Sequence, residues 1–304
     1  MPLILGLAVL FDLIFGEPSN RWHPVAWVGR GLELLQARVP ARSPAGLLAA
    51  GAIMVVGAAL VIAALAEALV RATAPLGWPG VFLHAWLLKC TFSVRGLIGA
   101  AGAVKMALAL GSLDEARRRV GWHLVSRPTA TLSADQVASA TVESVAENFT
   151  DSVVAPLLFF LLFGLPGAWA YRMVNTADAM WGYREGELEY FGKPAARLDD
   201  LLSWIPARLA GAGIVVGALI AGERAADAWR TMWRDHARTA SPNAGWAMAA
   251  MAGALGVALE KPGAYRLGDG PLPTAEAIHR AVSVMTSASG LFTAASPCAV
   301  LLRG

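Results

Sequence analysis

The sequence predicts an all-α, polytopic integral membrane helical bundle with re-entrant or interfacial helices and a polar site facing the cytoplasm. Three observations predict it. Of the 304 residues, 56% are hydrophobic and 15% charged, against roughly 25% charged in soluble domains. The run from Gly46 to Ala66 carries no charge at all and is about the length that crosses a bilayer. Strand-type alternation is absent, while capping residues and apolar stretches of helical length recur. Loops are short, and no repeat, low-complexity tail or linker divides the chain. Residues 1–304 therefore read as a single integral membrane domain, with roughly four to six crossing helices and several shorter ones.

Composition also excludes several classes. A formal charge of +3 is too small to argue for nucleic acid, and the bases are spread over loops, as topology signals are. Cys90 and Cys298 lie far apart and match neither a zinc spacing nor a disulfide framework. No Ser/His/Asp pattern, His-Glu-x-x-His or phosphate loop is present.

In chain order, residues 2–15 read as a retained first membrane segment interrupted by Asp12. They lack the basic start and small-residue cleavage site of a signal peptide. Gly16-Glu17-Pro18 and His23-Pro24-Val25 follow; alone, they make a Pro-rich turn with a capping carboxylate. Residues 46–70 form the cleanest span, with Arg30, Arg38 and Arg42 before it and Arg71 after, so its N-terminal end lies on the cytoplasmic side. Residues 81–111 read as a helix packed inside the bundle. Gly96, Gly99 and Gly102 would line a close contact, and Lys89 and Arg95 would snorkel or face a polar cavity. Capping boxes are expected at Ser112 with Glu115 and at Ser133 with Gln136.

The second box opens a helix carrying Glu143, Glu147 and Asp151, spaced i, i+4, i+8, with Asn148 beside them. On one helix face these acids repel unless a cation or arginines sit opposite. Pro156 and the Gly164-Leu165-Pro166-Gly167 break divide the following apolar run into halves of about 12 residues, each short of a full span. A helical hairpin would bring Asn175 and Asp178, which share a face, back toward the acids. Asp200 and Arg208 flank Trp204 and could form a structural salt bridge. Gly213-x-x-x-Gly217 is a helix-packing signal. Residues 223–238 form a charged interfacial helix with Trp229 and Trp233 one turn apart, and Ser241-Pro242-Asn243 caps a small-residue helix over 244–259. Residues 260–273 read as loop, and 281–302 as a last span. Carboxylates with asparagine suit a hard, oxygen-ligated cation such as Mg²⁺, and arginines suit phosphate.

Glu-Ser-Val-Ala-Glu-Asn, Val-Val-Ala-Pro-Leu, Asn-Thr-Ala-Asp-Ala-Met-Trp-Gly-Tyr, Ala-Ala-Arg-Leu-Asp-Asp with Ile-Pro-Ala-Arg-Leu, and Ser-Pro-Asn-Ala-Gly-Trp occur in that order. With the N-terminal pieces, this series resembles the adenosylcobinamide-phosphate synthase family of CbiB or CobD type over nearly the whole chain. Two departures stand out: Glu17 where the family has Asp, and Pro128 where it has the acid of a Gly-Arg-Asp, which puts any role of that acid in doubt.

The resemblance implies an ATP-dependent amide ligase, a multi-pass protein of the cell inner membrane, joining adenosylcobyric acid to aminopropanol phosphate or aminopropanol. Its cofactors would be ATP and Mg²⁺, and its partners the corrinoid and the amino-alcohol phosphate, the lipid bilayer, and no nucleic acid. A homo-oligomer or association with other cobalamin-biosynthesis enzymes stays open. The resemblance further implies catalytic roles for Glu143, Glu147, Asn148, Asp151, Asn175 and Asp178, with Glu147, Asp151 and Asp178 as metal ligands. Substrate or phosphate would be held by His23, Arg127, Lys193, Arg197, Asp199, Asp200, Arg208, Ser241 and Asn243. Trp181, Trp204, Trp229 and Trp246 could hold the corrin, although each is also a ready core or interface anchor. The rival classes are a membrane transporter, for which broken helices speak, and a non-catalytic membrane sensor.

Overall fold

The computed structural model describes residues 1–39 and 43–301. Arg42 lies outside them, and Cys298 outside the side chains described. The helices in chain order are α1 (Pro2–Phe15), α2 (Pro24–Gln36), α3 (Pro44–Thr73), α4 (Trp78–Lys89), α5 (Val94–Ala109), α6 (Leu113–His123), α7 (Ala134–Phe149), α8 (Ala155–Trp181), α9 (Leu188–Phe191), α10 (Lys193–Leu202), α11 (Trp204–Ile220), α12 (Ala225–Asp235), α13 (Ala244–Leu255) and α14 (Ala275–Leu301). The expected loop after α13 contains a short antiparallel pair, β1 (Leu259–Lys261) and β2 (Tyr265–Leu267), with Lys261 opposite Tyr265. Gly263 at φ 74° makes the turn, a conformation that glycine adopts without steric cost.

Three runs are long and apolar enough to cross a bilayer among the described residues: Pro44–Leu76, Trp78–Ala109 and Ala134–Trp181. Counting α9–α10 with α11 as one broken span gives a fourth. The chain is a multi-pass membrane protein. Pro44–Leu76 is also the least enclosed, with 17% of its apolar window buried inside the protein; that surface has lipid as its natural solvent. Ser43 starts α3 by accepting a hydrogen bond from the Gly46 N–H at 3.2 Å. At 14 residues, α1 is too short to span by itself.

The chain divides into two compact units. The first comprises Met1–Ser93, Ala155–Ser203 and the C-terminal residues from Ser296. Its core joins Leu32, Leu47, Val55, Met173, Val174, Trp181 and Phe191. Here the hairpin expected at Gly164 is present. Gly164 sits at φ 69° inside α8, and the rings of Phe159 and Tyr171 stack with centroids 5.1 Å apart. A straight helix would separate residues that far apart in sequence by roughly 18 Å, so the chain doubles back. A Cβ on Gly51 would lie 2.0 Å from the Phe191 carbonyl oxygen, so that glycine lets α3 meet the end of α9. An apolar cavity of about 930 Å³ lies along α2 and α3 with Trp169 and Met173 of α8.

The second unit comprises Val94–Val154 and Trp204–Ala295. Its centre is α13, whose residues from Gly245 to Leu255 are all buried, as a helix apolar on every side should be. Gly213 and Gly217 do act as packing glycines: a Cβ on the first would strike Phe292 at 2.7 Å, and on the second the Val284 carbonyl at 2.6 Å. Gly99 and Gly102 of α5 do not. A Cβ on Gly99 or Gly102 would meet nothing within 4 Å, because the buried face is the Val94, Leu97, Ala101, Val104 stripe. The Ser133–Gln136 capping box forms in both directions. The Ser112–Glu115 box does not. Ser112 makes no side-chain cap bond, and the Glu115 carboxylate is taken by Arg118 and Arg119. Trp229 and Trp233 on α12 are 48% and 52% exposed, as an interfacial helix requires.

Gly51→Ala should lower thermal stability in detergent by about 1–3 kcal/mol through overpacking. Gly57→Ala, whose Cβ meets open space, should change it by less than about 1 kcal/mol. Equal melting temperatures for the two variants would show that α3 does not close on α9 in this way.

Candidate functional site

The expected site residues fall into separate polar clusters, each built by its own elements. On α7, Glu143 is buried and engaged from several sides. The Ser139 hydroxyl donates to Oε1 at 2.8 Å, the Tyr265 hydroxyl donates to Oε2 at 2.7 Å, and Arg127 approaches to 3.8 Å. The Glu260 N–H donates to Ser139 Oγ at 2.8 Å. Glu143 thus fastens α7 to the β1–β2 hairpin. Burial, and then the neighbouring Glu143 carboxylate, push the Tyr265 phenol well above its usual range, so it stays a donor. Glu147, one turn on, is exposed, and Asn148 donates to the Ser144 carbonyl and hydroxyl at 3.0 Å each.

The acidic stripe is not continuous in α geometry. Thr150–Val154 form a π-helical turn, whose extra residue per turn breaks the i, i+4 register at Asp151. Such turns concentrate at functional sites. Arg127 has Nε and Nη1 buried without a hydrogen-bond partner. Two donors aimed into a mostly buried space cost stability unless an acceptor reaches them.

In the other unit, α8 and α10 carry a second network. The Asn175 amide donates to Asp199 Oδ1 at 3.3 Å, and Arg172 donates to the Asn175 oxygen at 3.3 Å. Ser203 donates to Asp199 Oδ2 at 3.4 Å and pairs with the buried Tyr171 hydroxyl at 3.1 Å. Asp178, Asp199 and Asp200 lie within electrostatic reach of one another. Arg197 pairs with Asp200 at 3.6 Å, while Lys193 is exposed on the first turn of α10. Gly182 is required beside Asp178, since a Cβ there would fall 2.2 Å from Asp178 Oδ1. Trp181 is wholly buried against Phe191, so it serves the core and cannot touch a ligand without repacking.

Arg208, Ser241 and Asn243 meet in a third cluster. The Arg208 guanidinium lies 3.9 Å from the Trp204 ring centroid and 4.7 Å from that of Trp246. It donates to the Trp204 carbonyl at 2.6 Å and to the Asn243 side chain at 3.4 Å. Ser241 Oγ accepts from the N–H groups of Asn243 and Ala244, forming the expected cap of α13. His23 has a similar local role. It caps α2 by accepting from the Val25 N–H and hydrogen-bonds Glu17 at 2.6 Å. Glu17 also takes Lys89 Nζ at 2.7 Å, and Asp12 stands 3.6 Å from the same nitrogen. Lys89 is completely buried, which selects the inward-facing alternative over snorkelling. Burial raises the Glu17 pKa, but the hydrogen bonds from His23 and Lys89 outweigh it and leave the group at about 2.

Among the described residues, no three His, Cys, Asp or Glu side chains converge as a metal-binding group. Of the expected metal ligands, Glu147 and Asp151 belong to the second unit and Asp178 to the first. A phosphate-borne Mg²⁺ keeps several waters and needs only one or two carboxylates, which the aspartates of α8 and α10 could supply. Arg172, Ser203, Ser139 and Tyr265 were not foreseen. Arg172, one turn before Asn175, could have been read from spacing; Tyr265 is far from Glu143 in sequence and could not.

The CobD/Cbib protein family model matches residues 5–285. The chain is 44% identical over 274 residues to the cobalamin biosynthesis protein CobD of Dehalococcoides mccartyi, covering 88% of this chain and 86% of that one. It is 42% identical over 313 aligned positions to the cobalamin biosynthesis protein CobD of Chromobacterium violaceum, covering 99% and 97%. It is 41% identical over 266 residues to a probable cobalamin biosynthesis protein CobD of Methanothermobacter thermautotrophicus, covering 88% and 86%. No solved structure matches the chain.

Tyr265→Phe should destabilise the protein by about 1–3 kcal/mol, because it withdraws a donor from a buried carboxylate; calorimetry in detergent checks this. Glu17 makes a pH-dependent contribution. Its folded pKa is depressed, so its contribution is complete above about 4.5 and is lost as pH falls toward about 2. Glu17→Gln should therefore cost on the order of 2 kcal/mol at neutral pH, after discounting for a side chain 33% exposed. That deficit should shrink steadily in unfolding experiments run from pH 5 toward pH 2.

Proposed function

The chain belongs to the CobD/CbiB family and takes part in cobalamin biosynthesis, and on that premise we propose that it is an ATP-dependent acid–amine ligase. It would join a propionate of adenosylcobyric acid to aminopropanol phosphate, or aminopropanol, at the cytoplasmic face of the inner membrane. One observation carries this reading: Asp178, Asp199 and Asp200 lie within electrostatic reach of one another, with Asn175 bonded to Asp199, in a largely apolar unit. Mutually repelling oxygen donors are stabilised by a hard cation. When bound, Mg²⁺ would neutralise charge on the phosphates of ATP.

The chain's own groups then have separate tasks. Asp178 and Asp199 would hold the cation, and Asn175, which Arg172 hydrogen-bonds, donates to Asp199 and keeps it in position. The propionate oxygen attacks the γ-phosphorus of ATP; the new O–P bond replaces the bond to ADP. The amine nitrogen next attacks the acyl carbon, the C–N bond forms, and phosphate leaves with the C–O pair. An amine proton must be lost in that step, and a carboxylate of the α8–α10 cluster is suited to take it. In the second unit, taken by itself, Arg127 Nε and Nη1 are buried without a hydrogen-bond partner among the described residues, and a guanidinium of that kind suits an anion. Glu143, fully engaged in fastening the hairpin, is a positioning residue.

Protein reconstituted with Mg²⁺–ATP, adenosylcobyric acid and the amine should form ADP, phosphate and a new amide. Asp199→Asn should lower turnover by roughly 10²–10³-fold, while unfolding without nucleotide stays unchanged or shifts upward as like-charge repulsion is relieved. Transport or ligand binding without ATP consumption by the unmodified protein would replace this reading with a transporter or a sensor.

A further inference from the structure

A polar cleft of about 360 Å³ lies in the second unit, lined from α12, the end of α13 and the loop after β2. None of the residues discussed above as candidate site residues lines it. Three arginines do: Arg224, Arg230 and Arg234. They differ in freedom. Arg234 is fixed by Asp235 at 2.8 Å and by Asp269. Arg230 is 74% exposed and holds Asp227 at 3.0 Å. The Arg224 side chain makes no hydrogen bond or ion pair among the described residues. Its guanidinium lies over Gly256, where a Cβ would fall 2.8 Å from Nη1.

The floor is built for close approach. A Cβ on Gly270 would sit 2.1 Å from the Gly256 carbonyl, and one on Gly253 would sit 2.4 Å from the Asp227 carbonyl. Glycine at these positions is what allows the loop, α12 and α13 to close on one another and bring the arginines to one mouth. With Asp227 and Asp269 counted, the cleft carries a net charge of +1, from three arginines and two aspartates, and its unspent charge is on Arg224.

We propose that this cleft binds the phosphate group of a small phosphomonoester or of a phosphomonoester lipid headgroup, with Arg224 as the principal contact and Arg230 turning from Asp227 to join it. A planar guanidinium matches two phosphate oxygens at once, and a cleft of this size admits a small phosphorylated molecule. Trp229 and Trp233 lie half-exposed on the same helix, so the phosphate could arrive from the aqueous phase or from the membrane surface. The inference rests on the cleft's chemistry and stands whether or not the ligase reading does.

The test uses the full chain without ATP. In detergent, glycerol 3-phosphate should raise the melting temperature saturably at pH 7.5 and less at pH 5, where a phosphomonoester loses its second charge near pH 6. In nanodiscs, phosphatidic acid should do the same relative to phosphatidylcholine if the source is lipid. Arg224→Gln should weaken whichever response is seen by about tenfold or more, whereas Arg118→Gln, a remote exposed control, should leave it unchanged. A response to neither probe, or one undiminished in Arg224→Gln, overturns the proposal. Normal amide formation alongside absent phosphomonoester binding would overturn this inference alone; binding without amide formation would overturn the ligase reading alone.

Discussion

A charge can be buried in an apolar helical protein when a partner meets it there, and that constraint organises both units. A lone ammonium or carboxylate in a low-dielectric interior costs several kcal/mol. Lys89 sits at the end of α4 with no exposed surface, so the chain after α1 brings Glu17 back to it, and His23 in turn orients Glu17 while starting α2. In the other unit Glu143 has the same need and meets it with Ser139, Tyr265 and Arg127. In each case one buried charge determines where a loop or a hairpin must go.

The interrupted helices follow from a related demand. Inside a membrane the backbone must satisfy its own hydrogen bonds, so breaks survive only where protein covers them or where they are short. The chain uses three kinds. Gly164 turns α8 back on itself at positive φ, the Thr150–Val154 π turn widens the helix without ending it, and residues 90–93 separate α4 from α5. Two of the breaks adjoin a polar group: Asp151 lies in the π turn, and Lys89 precedes the α4 break. The Gly164 hairpin returns Tyr171 beside Phe159, with Arg172 and Asn175 on the arm that follows.

Much of this was legible in the sequence, for physical reasons that can be named. The uncharged Gly46–Ala66 run, the Ser133–Gln136 box, the Gly164–Gly167 break, the Gly213–Gly217 packing pair and the paired tryptophans of α12 are local signals, and local chemistry decides them. The failures were failures of tertiary context. Ser112 and Glu115 have capping-box spacing, but two adjacent arginines compete for the same carboxylate. Gly99 and Gly102 share a face, yet the larger Val94, Leu97 and Val104 side chains take the buried one. The i, i+4, i+8 acids assume a uniform α-helix, and nothing in their spacing announces the π turn.

The same distinction explains what could be inferred about the site. Aspartates and asparagines close in sequence, such as Asn175 with Asp178 or Asp199 with Asp200, can be grouped from spacing because one helix turn carries them. What spacing cannot supply is the state of each group. Glu143 and Glu147 are one turn apart and chemically identical in the sequence, yet the fold surrounds one with donors and leaves the other exposed. A carboxylate held by a phenol, a hydroxyl and a guanidinium fastens together the elements that carry them. Glu147, one turn away, is exposed. A structural role for Glu143 therefore follows from the hydrogen bonds already made, and Arg127 has two buried donors without a partner among the described residues, which an incoming anion would satisfy.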